Sequence, residues 1–153
     1  MEKIASFQIN HDVLVPGIYT SRVDFGDIVT YDLRFKRPNN GDALTKEAAH
    51  TIEHIFATYI RSSKIGANVV YFGPMGCLTG FYLILKGVSA KDAIAGIQAG
   101  MKFLSAFEGE IPGSRKEECG NYLMHDLAGA KKEAAGYCAA IEGWTERQLV
   151  YPE

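Results

Sequence analysis

The chain has 153 residues, 47% of them hydrophobic and 22% charged, with a formal net charge of −2 and a sequence pI of about 6.1. That length suits one domain with a real core. The lack of a basic stripe excludes nucleic acid as an expected partner, and no apolar run approaches the roughly 20 residues that would cross a bilayer. The opening Met1-Glu2-Lys3-Ile4-Ala5 lacks the charged-then-apolar build of a signal peptide, so the expected location is the cytoplasm. Cys77, Cys119 and Cys138 are an odd count, which reads as reduced thiols and not as a disulfide framework. No repeat or linker divides residues 1–153, and a single domain is expected.

Residues 4–10 read as a short strand with Ile4, Phe7 and Ile9 apolar. Pro16-Gly17 marks a turn, Ile18 to Val23 a strand, and Phe25-Gly26-Asp27 a second turn. Ile28 to Lys36 is the clearest strand. Val29, Tyr31, Leu33 and Phe35 alternate with Thr30, Asp32, Arg34 and Lys36, which predicts one face on the core and one toward water or a site. Pro38-Asn39-Asn40-Gly41-Asp42 ends it. A helix follows over 44–62, capped by Asp42 or Thr45, with Leu44, Ala48, Ile52, Ile55 and Tyr59 as its core stripe.

Asn68 to Phe72 and Leu78 to Lys86 are two more strands, the second apolar on both faces and so central. Ser89-Ala90-Lys91-Asp92 resembles a capping box with Asp in place of Glu. The helix it opens turns Ile94, Ile97, Met101 and Leu104 inward. Glu108 to Glu118 is loop. Asp126 caps a last helix with Leu127, Ala130, Ala134, Tyr137 and Ile141 inward, and the tail around Trp144 docks on the body. Strands and helices mix without a βαβ rhythm. The expected class is α+β, with an antiparallel sheet packed against helices.

One stretch carries chemistry: His50-Thr51-Ile52-Glu53-His54, an H-x-x-E-H pattern. On a helix, His50 and His54 lie one turn apart on one face, so two imidazole nitrogens can reach one metal ion. Glu53 lies near that face, placed to handle a proton without being a ligand. The pattern is the inverted relative of the H-E-x-x-H zinc helix; its plain alternative is the polar flank of an amphipathic helix. A catalytic site wants a third protein ligand and an open position. His11, Cys77, Cys119, His125 and the carboxylates are all candidates, and spacing does not choose among them. Cys119 sits in Glu118-Cys119-Gly120-Asn121, where glycine lets the backbone turn. Cys77 follows Gly76 at a strand entry, where a thiol can face a cleft and serve as acid or base. His125 beside Asp126 reads as surface or cap, Cys138 as packing, and Arg34 as either a solvated edge charge or a clamp for an anion or hydroxyl.

Six blocks in order now carry a resemblance: Ser6-Phe7-Gln8-Ile9-Asn10-His11; Asp32-Leu33-Arg34-Phe35 followed by Pro38-Asn39; the H-x-x-E-H block; Pro74-Met75-Gly76-Cys77-Leu78-Thr79-Gly80; Glu118-Cys119-Gly120-Asn121; and His125 to Lys131. Together they resemble the S-ribosylhomocysteine lyase (LuxS) family. The resemblance implies a homodimer of small α+β subunits with two active sites at the interface. It implies a divalent metal, ferrous iron in the cell and often zinc after purification, held by His50, His54 and Cys119. Glu53 and Cys77 would be the proton carriers, and Ser6, His11 and Arg34 would bind the ribose end of the substrate. Lys36 and Arg37, and the Val70-Tyr71-Phe72-Gly73 segment, depart from the usual family pattern and bear on the substrate pocket, not on the reaction.

The implied reaction is metal-assisted carbonyl migration along S-ribosylhomocysteine, then β-elimination of the thioether, giving homocysteine and 4,5-dihydroxy-2,3-pentanedione, the precursor of the autoinducer-2 signal. It needs a Lewis acid and two proton carriers. The rival readings are an H-x-x-E-H metallohydrolase of the peptidase kind and a non-catalytic metal-binding domain. The first usually takes a carboxylate as third ligand in a much longer chain; the second would have a closed, four-ligand site.

Overall fold

A computed structural model of the chain describes residues Met1–Glu153. After a single helical turn, α1 (Ala5–Gln8), the order is β1 (Gly17–Asp24), β2 (Ile28–Arg34), α2 (Lys46–Arg61), β3 (Val69–Pro74), β4 (Gly80–Lys86), α3 (Ala90–Ser105) and α4 (Leu127–Ala140). The strands form one four-stranded antiparallel sheet in the order β1-β2-β4-β3. All three long helices stand on one face of it, and the α+β expectation holds. No helix is long and apolar enough to cross a membrane.

Alternation builds the core. Tyr31 and Leu33 of β2, Phe35 just beyond it, and Phe81, Leu83 and Leu85 of β4 point at the helices. There they meet Ile52, Ile55, Phe56 and Ile60 of α2, Ile94, Ile97, Met101 and Leu104 of α3, and Ala130, Ala134 and Tyr137 of α4. Each large side chain so buried contributes about 1.5–3 kcal/mol. Tyr59 is only half-buried, because Phe56 and Ile60 occupy the inner turns expected of it. The helix N-caps are Thr45, whose Oγ1 accepts from Ala48 N at 3.1 Å, Ser89 toward Asp92 N, and Asp126 toward Gly129 N. Asp42 does not cap α2; its carboxylate pairs with Lys36 at 3.0 Å, and Lys36 also reaches Glu133 at 2.9 Å. The tail docks as expected, with Trp144 Nε1 donating to Ile18 O at 3.0 Å.

One expectation fails, and one of two alternatives closes. Residues 4–10 are not a strand: Ala5–Gln8 makes one helical turn, with Ile4 and Phe7 exposed. A short apolar run fits either period, and no strand of the sheet pairs with this one. The polar face of β2 is not solvated either. Asp32 is 0% and Arg34 2% exposed, because β2 is an inner strand and the tail folds over that face. Tyr151 stacks on Tyr19 with ring centroids 5.0 Å apart and donates its hydroxyl to Asp32 Oδ2 at 2.8 Å. Burial first, then the Asp32 charge, pushes the Tyr151 phenol well up.

Candidate metal centre and active site

α2 presents His50 and His54 on its half-buried flank, with the rings 4.6 Å apart and edge-on. The long loop between α3 and α4 drapes over them and fixes their tautomers. His50 Nδ1 lies 2.7 Å from Met124 O, and His54 Nδ1 lies 2.8 Å from Pro112 O. A carbonyl only accepts, so in both rings Nδ1 carries the proton and Nε2 keeps a free lone pair. This is the outer-shell hydrogen bond that orients metal-binding imidazoles. Gly113, at φ +66, supports it: a Cβ there would lie 3.4 Å from His54 Nδ1.

The same loop brings Cys119 Sγ to 3.5 Å from His50 Nε2 and 3.8 Å from His54 Nε2. Metal–sulfur and metal–nitrogen bonds of about 2.3 and 2.0 Å at tetrahedral angles separate S and N by about 3.5 Å, so the donor set fits a single ion. Gly120 is not what turns the chain here. Its φ is not positive and a Cβ on it would meet nothing; the turn is closed by Cys119 N donating to Arg115 O at 3.0 Å.

His125 is not a surface or cap residue. It is half-buried and stacks on His50 with ring centroids 4.1 Å apart. Its donor atom belongs with those of His50, His54 and Cys119 in a group lying within 4.8 Å of one another. Its environment differs from theirs. Thr51 Oγ1 accepts from Asp126 N at 2.9 Å and lies 3.0 Å from His125 Nδ1. The other ring nitrogen, Nε2, is buried and has no hydrogen-bond partner. Burial, with His50 and His54 beside it, pulls His125 down to about 4, so the ring is neutral. Sequence reasoning missed this residue's position; the only local signal was Thr51, inside the H-x-x-E-H block itself. Glu53 is half-buried next to His54 and makes no hydrogen bond or ion pair.

The other expected site residues gather elsewhere. Cys77 is exposed in the β3–β4 turn and lines a cavity of about 390 Å³ with His11, Thr79 and the 38–43 segment. His11 Nδ1 is tied to Ile9 O at 2.9 Å, leaving its Nε2 free. Ser6 lines a separate, smaller cavity of about 150 Å³ with Ser21, Tyr71 and Tyr82. Arg34 is not a solvated charge. Its Nε and Nη2 hold both oxygens of Asp32, at 3.1 and 2.6 Å, and its Nη1 donates to Thr79 Oγ1 at 2.7 Å. Burial draws the Arg34 guanidinium down, but the Asp32 charge and hydrogen bonds outweigh it and hold it above its ordinary value. Gly80 permits the close strand approach at this point, since a Cβ would lie 2.4 Å from Leu33 O.

Tyr151 completes the shell of Asp32, so Tyr151→Phe is expected to cost about 1.5–3 kcal/mol, the worth of a hydrogen bond to a charged group. A urea unfolding midpoint measured against wild type checks it.

Arg34, Asp32 and Tyr82 lie on the sheet face turned away from α2, because their neighbours Leu33, Phe35, Phe81 and Leu83 face it. The sheet therefore stands between the Arg34 group and the His/Cys cluster of the same chain, and no residue is shared between the cluster and the Cys77 cavity.

The fold and site thus define a small α+β domain with a His/Cys cluster able to bind a metal, built on an H-x-x-E-H helix. The S-ribosylhomocysteinase (LuxS) family model matches residues 4–148. The chain is 48% identical to the S-ribosylhomocysteine lyase of Phocaeicola vulgatus, covering 99% of this chain and 98% of that protein. It is 49% identical to that of Desulfotalea psychrophila, with 99% of each covered, and 45% identical to that of Clostridium acetobutylicum over the whole of both. The chain belongs to the LuxS family.

Proposed function

We propose that this chain is a metal-dependent carbon–sulfur lyase that cleaves S-ribosylhomocysteine to homocysteine and 4,5-dihydroxy-2,3-pentanedione. The observation that carries the reading is the convergence of two histidine Nε2 lone pairs and the Cys119 sulfur, set in a chain that matches S-ribosylhomocysteine lyases end to end. Family membership leaves the peptidase reading without support.

His50, His54 and Cys119 would hold one divalent ion per chain, with ferrous iron as the native metal and zinc as a substitute. The soft thiolate beside two imidazoles suits either. A catalytic site keeps one position open, so His125, whose donor atom stands in the same cluster, would line that position while His50, His54 and Cys119 hold the ion. When bound, the metal supplies Lewis-acid polarisation of the sugar oxygens. Glu53, next to His54 on the helix and unpaired, takes and returns protons on the metal side. Cys77, exposed in its cavity, does so on the other side. Together they move protons between neighbouring carbons until the carbonyl reaches C3, and removal of the C4 proton then expels homocysteine from C5. His11, through its free Nε2, Ser6, and the two N–H donors that Arg34 has left over would bind the ribose end.

The separation of the two residue sets supports a homodimer. With the sheet standing between the Arg34 group and the metal helix of one chain, a complete site takes its metal half from one subunit and its Cys77 half from the partner. Exposed Ile4, Phe7, Val70 and Tyr71 are the apolar surface such contact would cover. Three unpaired cysteines, one of them a proposed ligand, suit a reducing cytoplasm.

The test is direct. Anaerobically purified, iron-loaded protein is given S-ribosylhomocysteine and free thiol is followed. Stoichiometric thiol release is expected; none from fully loaded protein would sink the reading.

A further inference from the structure

A buried chain of polar contacts runs from the C-terminal tail to Cys77. The Tyr151 hydroxyl donates to Asp32, Asp32 fixes two nitrogens of Arg34, and the third nitrogen, Nη1, donates to Thr79 Oγ1. Thr79 Oγ1 lies 3.1 Å from Cys77 Sγ. Thr79 is only 7% exposed, and its Oγ1 has no partners besides Arg34 and Cys77.

Donor counting sets the direction of that last contact. A guanidinium has no acceptor, so Arg34 must be the donor to Thr79. The Cys77 sulfur is then the one side-chain acceptor within reach of the single hydroxyl proton of Thr79. Were the thiol the donor, the Thr79 proton would have no acceptor among the protein's own groups, which is the less favourable arrangement. The backbone enforces the pairing. Leu78 sits at φ +58, a conformation rare for a side chain of this kind. The turn is closed on either side of it by Leu78 N to Met75 O and Met75 N to Gly80 O, and it sets Cys77 and Thr79 side by side. The Arg34 guanidinium stands one contact from the sulfur, through Thr79, and the charge of Cys77 is felt at the Tyr82 phenol on the sheet. His11 and Asp42 face the same cavity from the N-terminal segment and the loop before α2.

We propose that Thr79 is a positioning residue for Cys77: held as an acceptor by Arg34, it donates its hydroxyl proton to the Cys77 sulfur and so orients the thiol and favours its charged, reactive form. The inference rests on the reading of Cys77 as a proton carrier. It changes the part Arg34 plays, which acts on the sulfur through Thr79 in addition to any contact with substrate. A hydrogen bond to the charged form of a group favours that form, and the thiolate is what reacts.

The test is the rate at which iodoacetamide modifies Cys77 at neutral pH, read by mass spectrometry of the digest, with Cys138 in the same digest as internal control. In the iron-loaded Thr79→Val protein, Cys77 is expected to react about tenfold more slowly, as the loss of one hydrogen bond to a charged group implies. Cys138 is expected to react unchanged. The kcat for thiol release falls in parallel, with KM and metal content unmoved. Thr79→Ser, which keeps the hydroxyl, restores both. Should the valine variant fail to fold, Thr79→Ala gives the same comparison without the bulk. Cys77 modified at the wild-type rate in Thr79→Val or Thr79→Ala overturns the inference, as does a Thr79→Ser protein as slow as the valine one. Failure of the underlying reading looks different: Cys77→Ala would keep its turnover while the alkylation differences persisted.

Discussion

Purified Cys119→Ala protein is expected to keep its fold and lose its metal. Cys119 is half-buried in a loop, belongs to no part of the core, and donates its backbone N–H to Arg115 whatever its side chain. Its removal therefore costs little stability, within about 0.5 kcal/mol for such a position. The two imidazoles remain, each still tied by Nδ1 to a loop carbonyl. Two neutral nitrogens are a poor site for a divalent ion once the charged sulfur is gone. Loss of an outer-shell partner alone weakens metal binding about 10–100-fold, and loss of a direct ligand should exceed that. Metal analysis after dialysis against a weak chelator measures it, with circular dichroism confirming the fold. Full occupancy would remove Cys119 from the ligand set.

The second large effect is a loss of turnover with the metal kept. Glu53→Gln and Cys77→Ala are each expected to lower kcat by about 10²–10⁴-fold, the usual contribution of a positioned acid or base. Glu53 lies beside His54 and makes no contact that holds the helix, and Cys77 is exposed in a turn, so neither change should disturb the ligands. Metal content near one per chain with thiol release nearly abolished is the expected pair of readings. Loss of iron in Glu53→Gln would make Glu53 a ligand, and unchanged turnover in either variant would remove it from proton transfer.

What the sequence made legible was local. His50 and His54 are four apart, and a helix of that length with a buried Ile52 and Ile55 can only put them on one flank. The alternation of β2 gave its core face correctly, residue by residue. Its other face stayed open between water and a site, because the cover over Arg34 and Asp32 comes from Tyr151 at the far end of the chain, and no local pattern encodes that meeting. Residues 4–10 were misread because three apolar residues in seven fit more than one period. His125 was placed wrongly because its surroundings, Thr51 and His50, lie on another element. The Met124 and Pro112 carbonyls were invisible for a different reason: every residue has a carbonyl, so a backbone acceptor leaves no trace in residue type. Cys119 as third ligand was open on spacing and came only from the resemblance; the structure brings it to both imidazoles.

The central claim is that one subunit's metal half works with the partner's Cys77 half. It is tested most directly by co-expressing Cys77→Ala and Cys119→Ala chains with different tags and purifying the mixed dimer. Each homodimer alone should be inactive. In the mixed dimer one of the two sites joins an intact metal half to an intact Cys77 half, so symmetry predicts about half the wild-type rate of thiol release per dimer. A mixed dimer as inactive as its parents, with iron bound to its Cys77→Ala chain, would contradict it and place both halves of the site in a single chain.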